Sequence, residues 1–121
     1  MQITVLKSKI HRATVTDADL NYEGSIAIDR ELCRAARLHQ YERVDIYNCN
    51  NGERFSTYVI LGGPGEVCLN GAAARLVHRG DVVIIACYGE IDDSEAVAHR
   101  PTLVYVDDDN RVREIDGPVE E

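Results

Sequence analysis

Apolar and polar positions alternate over "ITVLKSKI" and again over "HRATVTDA", the period of two that a half-buried strand requires. "SIAI" at 25–28 is a third such segment, entered through the pair Gly24-Ser25. "RVDIYNCNNGERFSTYVI" holds two alternating runs joined by Asn50-Asn51-Gly52, which predicts a hairpin, because Asn and Gly tolerate the positive φ of a tight turn. "LGGPGE" at 61–66 reads as a turn, "VCLN" as a short strand and "DVVIIACYGEI" as a long buried one. "PTLVYVDDDNRVREI" reads as a second hairpin with an Asp/Asn turn. A helical period is clear only in "DRELCRAARLH" at 29–39, where Leu32, Ala35, Ala36 and Leu38 make an apolar stripe behind Asp29 as N-cap. "GAAARLV" and "DDSEAVAH" predict two further short helices, and "DGPVEE" a loosely ordered end. Many short strands with few helices predict a mainly β fold, a small closed or nearly closed barrel that hides its strand edges.

Composition narrows this picture only a little. A length of 121 residues, 45% of them apolar, suits one domain with its own core. The longest apolar run, "VVIIACY" at 82–88, is too short to span a bilayer, and the N-terminal residues have no signal-peptide pattern, so a cytoplasmic location is expected. Cys33, Cys49, Cys68 and Cys87 lack metal-ligand or redox spacing and are expected to be small buried hydrophobes. The four histidines are equally scattered, and no metal site is expected. A net charge of −8 argues against a nucleic-acid partner. Residues 1–89 carry ten Lys/Arg and ten Asp/Glu, so the excess acid lies wholly in 90–121. That segment is expected to be a solvated face, leaving the first three quarters free to form an anion pocket.

Taken alone, Gly24-Ser25 is an ordinary turn. Its chemistry is nevertheless suggestive, because a Ser hydroxyl can attack the carbonyl of its own preceding peptide bond. Such attack needs backbone strain, which Gly permits, and donors for the oxyanion. Elimination from the resulting ester, then hydrolysis, would leave a pyruvoyl ketone at a new N-terminus. Such a ketone forms a Schiff base with amines and acts as an electron sink.

The company this pair keeps is far more specific. "KSKIHRATVT" at 7–16, "YEGS" at 22–25, "NGERFSTY" at 51–58 and "NGAAARLVHRGD" at 70–81 occur in that order. Together they closely resemble the pyruvoyl-dependent aspartate 1-decarboxylases, over nearly the whole chain to about residue 106. The resemblance implies a six-stranded double-psi β-barrel with short flanking helices, assembled as a homotetramer with sites between subunits. It implies self-cleavage into residues 1–24 (the beta chain) and 25–121 (the alpha chain), with a pyruvoyl cofactor derived from Ser25. It also implies decarboxylation of L-aspartate to β-alanine for pantothenate and coenzyme A synthesis. Some relatives need a helper protein for maturation, which makes such a helper a further implied partner.

Residue by residue, Thr57 resembles the group that polarises the Gly24 carbonyl during cleavage and later contacts substrate. Tyr58 resembles the proton donor, a role that a phenol of pKa about 10 can fill at neutral pH. As neighbours in a regular strand the two would face opposite ways, so one site needs a bent strand or a second subunit. Arg54 offers a planar fork for the retained side-chain carboxylate, and Lys9 a second, less directional charge. Asn70, Gly71, Ala72 and Ala73 match the substrate loop, with the Asn70 amide aimed at the active-site carbonyl. His11 and Tyr22 match supporting positions near the cleavage point. The sequence departs from the resemblance at "LGGPGE", at Arg75 and at Asn21, which bear on loop shape rather than on reaction type.

Two other readings make different predictions. A pyruvoyl decarboxylase for another amino acid, such as glutamate, would differ in pocket length. A non-catalytic barrel serving as a binding module would stay one intact chain and would not depend on Ser25.

Overall fold

In the computed structural model, which describes residues 1–119, the first two alternating runs form one long strand, β1 (Gln2–Thr14), and a short continuation, β2 (Asp17–Asp19). β1 does not run straight: its register with a neighbouring strand slips between Leu6 and Ser8 and again between Ile10 and Ala13. Arg12, at φ +62, sits inside the second slip, as expected of a bulge that bends a strand around a barrel. The remaining elements follow as β3 (Ser25–Asp29), α1 (Arg30–Ala35), β4 (Arg43–Asn48), β5 (Arg54–Gly62) and β6 (Val67–Asn70). A 3-10 turn at Gly71–Leu76 precedes β7 (Val82–Asp92), and a second at Asp93–Glu95 precedes β8 (Thr102–Val106) and β9 (Val112–Asp116).

These strands form one nine-stranded sheet in the order β2-β6-β3-β5-β4-β7-β1-β8-β9. The row closes on itself because β2 is the continuation of β1. The Thr16 N–H donates to the Val67 carbonyl at 2.8 Å, and β2 then runs parallel to β6, Asp17 beside Cys68. Of the nine segments, β2 extends β1, and β8 with β9 lie beside the ring, which leaves six staves. The expectation of six strands thus describes the ring and undercounts the segments.

Asn110, in the turn between β8 and β9, seals the seam where the β1 edge passes from β8 to β6. Its side-chain oxygen accepts from the Thr14 N–H at 2.7 Å, and its amide nitrogen donates to the Thr14 and Gly65 carbonyls at 2.9 and 3.0 Å. The side chain thereby substitutes for a strand residue, which a buried backbone edge requires. One core fills the ring: Ile10, Ile26, Ile28, Val59, Leu69 and Ile85 are all within 1% of complete burial. Each comes from a different stave or from the alternate, inward face of the same one, as the period of two demands.

Four expectations need correction. The helix at 29–39 is shorter, ending at Ala35, because Arg37 turns into the left-handed region at φ +60. The Leu38 N–H still bonds the Cys33 carbonyl at 2.8 Å, so the apolar stripe is buried by a turn instead. "GAAARLV" and "DDSEAVAH" contain 3-10 turns rather than α-helices. Cys49 is exposed, while Cys33, Cys68 and Cys87 are buried. Finally, "DGPVEE" is not loose as far as it is described: Asp116 ends β9, and Thr102 Oγ1 donates to the Pro118 carbonyl. Glu120 and Glu121 lie outside the described residues. Both hairpins occur where the alternation places them, and β9 is exposed along its whole length, the solvated face expected of the acidic segment. No helix among the described residues is long and apolar enough to cross a membrane.

Candidate active site

Ser25 is the first residue of β3 and pairs with Asn70, the last of β6. Along β3 the inward positions are Ile26 and Ile28, so Ser25 and Ala27 share the other face with their partners Asn70 and Cys68. Ser25 is nonetheless 1% exposed and Asn70 4%. Polar groups buried to that degree need partners, and a short chain of hydrogen bonds supplies them. Cys68 Sγ donates to Asn70 Oδ1 at 3.4 Å, Asn70 Nδ2 donates to Ser25 Oγ at 3.0 Å, and Ser25 Oγ donates to the Glu23 carbonyl at 3.1 Å. The Cys68 thiol is pushed above its ordinary pKa by burial, and further by the nearby carboxylates of Asp17, Glu66 and Asp19, so it stays protonated.

The backbone conformation special to glycine lies not at Gly24 but at its neighbour in space. Gly24 does not adopt a left-handed φ, and a Cβ placed on it would meet nothing within 4 Å. Gly71 is at φ +71, and a Cβ there would come within 2.6 Å of Gly24 Cα and 2.8 Å of Gly24 N. The glycine that the geometry demands is therefore the one opening the 3-10 turn, where it packs directly on Gly24.

β5 lies on the other side of β3. Ile26 pairs in parallel with Val59, and one step back along that register Ser25 stands beside Tyr58. Tyr58 falls on the Ser25 face, half-buried, with its ring 6.2 Å from that of Tyr41. Thr57 is on the opposite face, opposite Val44 of β4, yet it too is only half-buried. The strict alternation of burial breaks at these two residues, at the end of the barrel near Gly24.

The cations lie farther off. Arg54 begins β5, four residues before Tyr58, which at strand rise is roughly 13 Å along the strand. Its guanidinium lies over the Tyr47 ring, 4.1 Å from the centroid, and Tyr47 Oη is 2.8 Å from Tyr88 Oη. Lys9 is half-buried in β1, between Ala86 of β7 and Leu103 of β8. Among the described residues neither cation forms an ion pair, whereas Lys7 is held by Glu42 at 2.8 Å. His11 packs edge-on against Tyr105, centroids 5.6 Å apart, and its Nδ1 is buried without a hydrogen-bond partner. Burial, then the charges of Lys9 and Arg12, lower its pKa, so the imidazole is neutral at pH 7. Tyr22 is exposed, with its carbonyl against Gly71; Ala72 is exposed and Ala73 packs on the core.

The chain thus brings together Gly24, Ser25, Asn70, Gly71 and, by register, Tyr58, while Thr57 faces the other way. It does not bring Lys9, Arg54 or His11 into contact with Ser25. An open cleft of about 370 Å³ borders Asn70 and Tyr22, and Asp17, Asp19 and Glu66 make its rim negative. That sign suits an ammonium and repels a dicarboxylate. Two contributors were missed in the sequence. Cys68 reads as packing in the sequence, although its place two residues before Asn70 puts it on the same strand face. Tyr47 lies opposite Arg54 in the hairpin register, a pairing that the Asn-Gly turn made readable.

A family model of aspartate decarboxylase matches residues 1–113. The aspartate 1-decarboxylase of Hydrogenobaculum sp. (strain Y04AAS1) is 58% identical, over 99% of this chain and 96% of that protein. That of Bdellovibrio bacteriovorus is 60% identical over 94% and 92%, and that of Syntrophus aciditrophicus 62% over 93% and 99%.

Proposed function

The chain belongs to the aspartate decarboxylase family, and from that premise we propose that it cuts itself between Gly24 and Ser25 and then decarboxylates L-aspartate to β-alanine and CO2. β-Alanine would serve pantothenate and coenzyme A synthesis in the cytoplasm. The observation that carries the reading is the buried pair of Ser25 and Asn70 at the point where β3 begins.

In the self-cleavage, Ser25 Oγ bonds to the Gly24 carbonyl carbon, the Gly24–Ser25 C–N bond breaks, and the hydroxyl proton passes to the Ser25 nitrogen. Glu23 already accepts that hydroxyl proton through its carbonyl, and the Asn70 amide lies 3.0 Å from the attacking oxygen. Thr57 is assigned to donate to the oxyanion, as the family resemblance implies. Elimination then loses the Ser25 Cα proton to water and breaks the Cβ–Oγ bond, so that Oγ leaves on Gly24 as a carboxylate and a Cα–Cβ double bond forms. Water hydrolyses the imine tautomer to the ketone and releases the Ser25 nitrogen as ammonia. The residues fit the pyruvoyl group this would leave: position 25 opens β3, is fixed by its pairing with Asn70 and faces an amide donor.

The ketone would supply an electron sink for the bond that loses CO2. The protein's own residues do the rest. Arg54 is assigned to the side-chain carboxylate that is retained, because tight pairing with the departing one would stabilise the ground state. Lys9 is assigned as a second, less directional positive charge near the site. Tyr58 returns a proton to the former α-carbon, and Asn70 with the backbone of Gly71, Ala72 and Ala73 orients the substrate. His11 and Tyr22 support the cleavage region without taking part. Because the negative rim of the cleft and the distance of Arg54 prevent one chain from completing the site, we assign it to the boundary between neighbouring subunits of a homotetramer. The Ser25→Ala variant tests the reading: it should fold, remain one chain and show no aspartate decarboxylation. Activity in that variant would overturn the mechanism.

A further inference from the structure

We propose that Cys68 is a positioning residue for self-cleavage, its thiol deciding which end of the Asn70 amide faces Ser25. The inference rests on the proposed cleavage at residue 25 and deepens it.

An Asn side chain presents a carbonyl and an NH2 group of nearly the same shape, so packing alone does not choose between its two orientations; hydrogen-bond partners do. At Asn70 the choice matters. The Ser25 hydroxyl already donates to the Glu23 carbonyl, so the lone pairs of Oγ need a donor, and Asn70 Nδ2 at 3.0 Å is that donor. Were the amide reversed, Oδ1 would face Ser25 and compete with Glu23 for the hydroxyl proton. The hydroxyl would then turn toward Asn70, and the donor that now holds Ser25 Oγ in place would be lost.

What opposes that reversal is at the other end. Cys68 stands two residues before Asn70 on the same face of β6, and Cys68 Sγ donates to Asn70 Oδ1 at 3.4 Å. The reversed amide would set its NH2 against the thiol in place of the carbonyl that now accepts from it. The thiol is 8% exposed, and burial with the three carboxylates around the cleft keeps it protonated, so it remains a donor through neutral pH. Cys68 forms no covalent bond and accepts no proton in this account; it acts through Asn70 alone.

The experiment compares the rate of Gly24–Ser25 cleavage, by intact mass over time on freshly prepared full-length chain, in the parent and in Cys68→Ser, Cys68→Ala, Cys68→Thr and Cys68→Val. Thr and Val have nearly the same shape and differ in the donor, which separates hydrogen bonding from packing and keeps the test valid if Cys68→Ala fails to fold. Variants with a donor should cleave within about threefold of the parent, and those without one roughly fivefold to tenfold more slowly, the scale of one lost hydrogen bond. Equal rates for Thr and Val would overturn the proposal. A second readout does not depend on cleavage. In the uncleavable Ser25→Ala background, the Raman S–H band of Cys68 should be lowered by its hydrogen bond and should rise in Asn70→Ala. An unmoved band would also overturn the proposal. A parent chain that never cleaves would instead overturn the self-cleavage reading, and with it the role assigned to Cys68 in it.

Discussion

At the scale of single residues, the two glycines beside Ser25 and Asn70 do different work. Gly24 has open space where a Cβ would go, while Gly71 is left-handed and touches the Gly24 backbone. Gly71→Ala should therefore cost about 1–3 kcal/mol in chemical denaturation, from strain and from the clash, and should slow cleavage as well. Gly24→Ala should leave stability within about 0.5 kcal/mol, as for a surface change. Equal losses in the two variants would contradict this assignment. The sequence pointed to Gly24 because it is adjacent to Ser25 in the chain; the demand on Gly71 arises from a contact across 47 positions of sequence, between residues 24 and 71. No local pattern carries that. The contact of Ser25 with Asn70 was legible because the motifs named both residues, and that of Cys68 was not, because a lone cysteine in an apolar strand reads as packing.

At the scale of elements, alternation located the strands and both hairpins, since a period of two follows directly from one buried face. Helix lengths were misread at 29–39, where an apolar stripe continues past a backbone reversal at Arg37 that no side chain announces. Nor did the sequence disclose the Asn110 seam. Asn110→Ala should destabilise the fold by about 2–4 kcal/mol, because it leaves the Thr14 N–H and two carbonyls without their partner in a buried site. A melting temperature equal to that of the parent would contradict the role of the seam.

The loop before β4 is tied to β1 by Glu42. Burial opposes its charge, but hydrogen bonds from Lys7 and from the His39 N–H, with the Lys7 charge, outweigh burial and hold its carboxyl below the usual glutamate range. A carboxyl depressed in the folded state contributes stability above its unfolded pKa and loses it as pH falls through the folded value. The melting difference between parent and Glu42→Gln should thus be largest near neutral pH and close in acid. A difference that widens toward acid would contradict the sign.

At the scale of the whole molecule, the ring of six staves sets the start of β3 and the end of β6 beside the middle of β5, which gathers residues far apart in sequence. It also leaves Arg54 and Lys9 away from Ser25, which is why the proposed site is assigned to a boundary between subunits. The subunit count is carried by the family resemblance and not by periodicity, since a half-buried face reads the same whether water or another chain covers it. The most direct test of the central claim is an intact mass under denaturing conditions, on fresh and on aged protein, with and without cell extract. The account predicts two chains, residues 1–24 and 25–121, the larger beginning with a pyruvoyl group. A single uncleaved chain of 121 residues under every condition would contradict it.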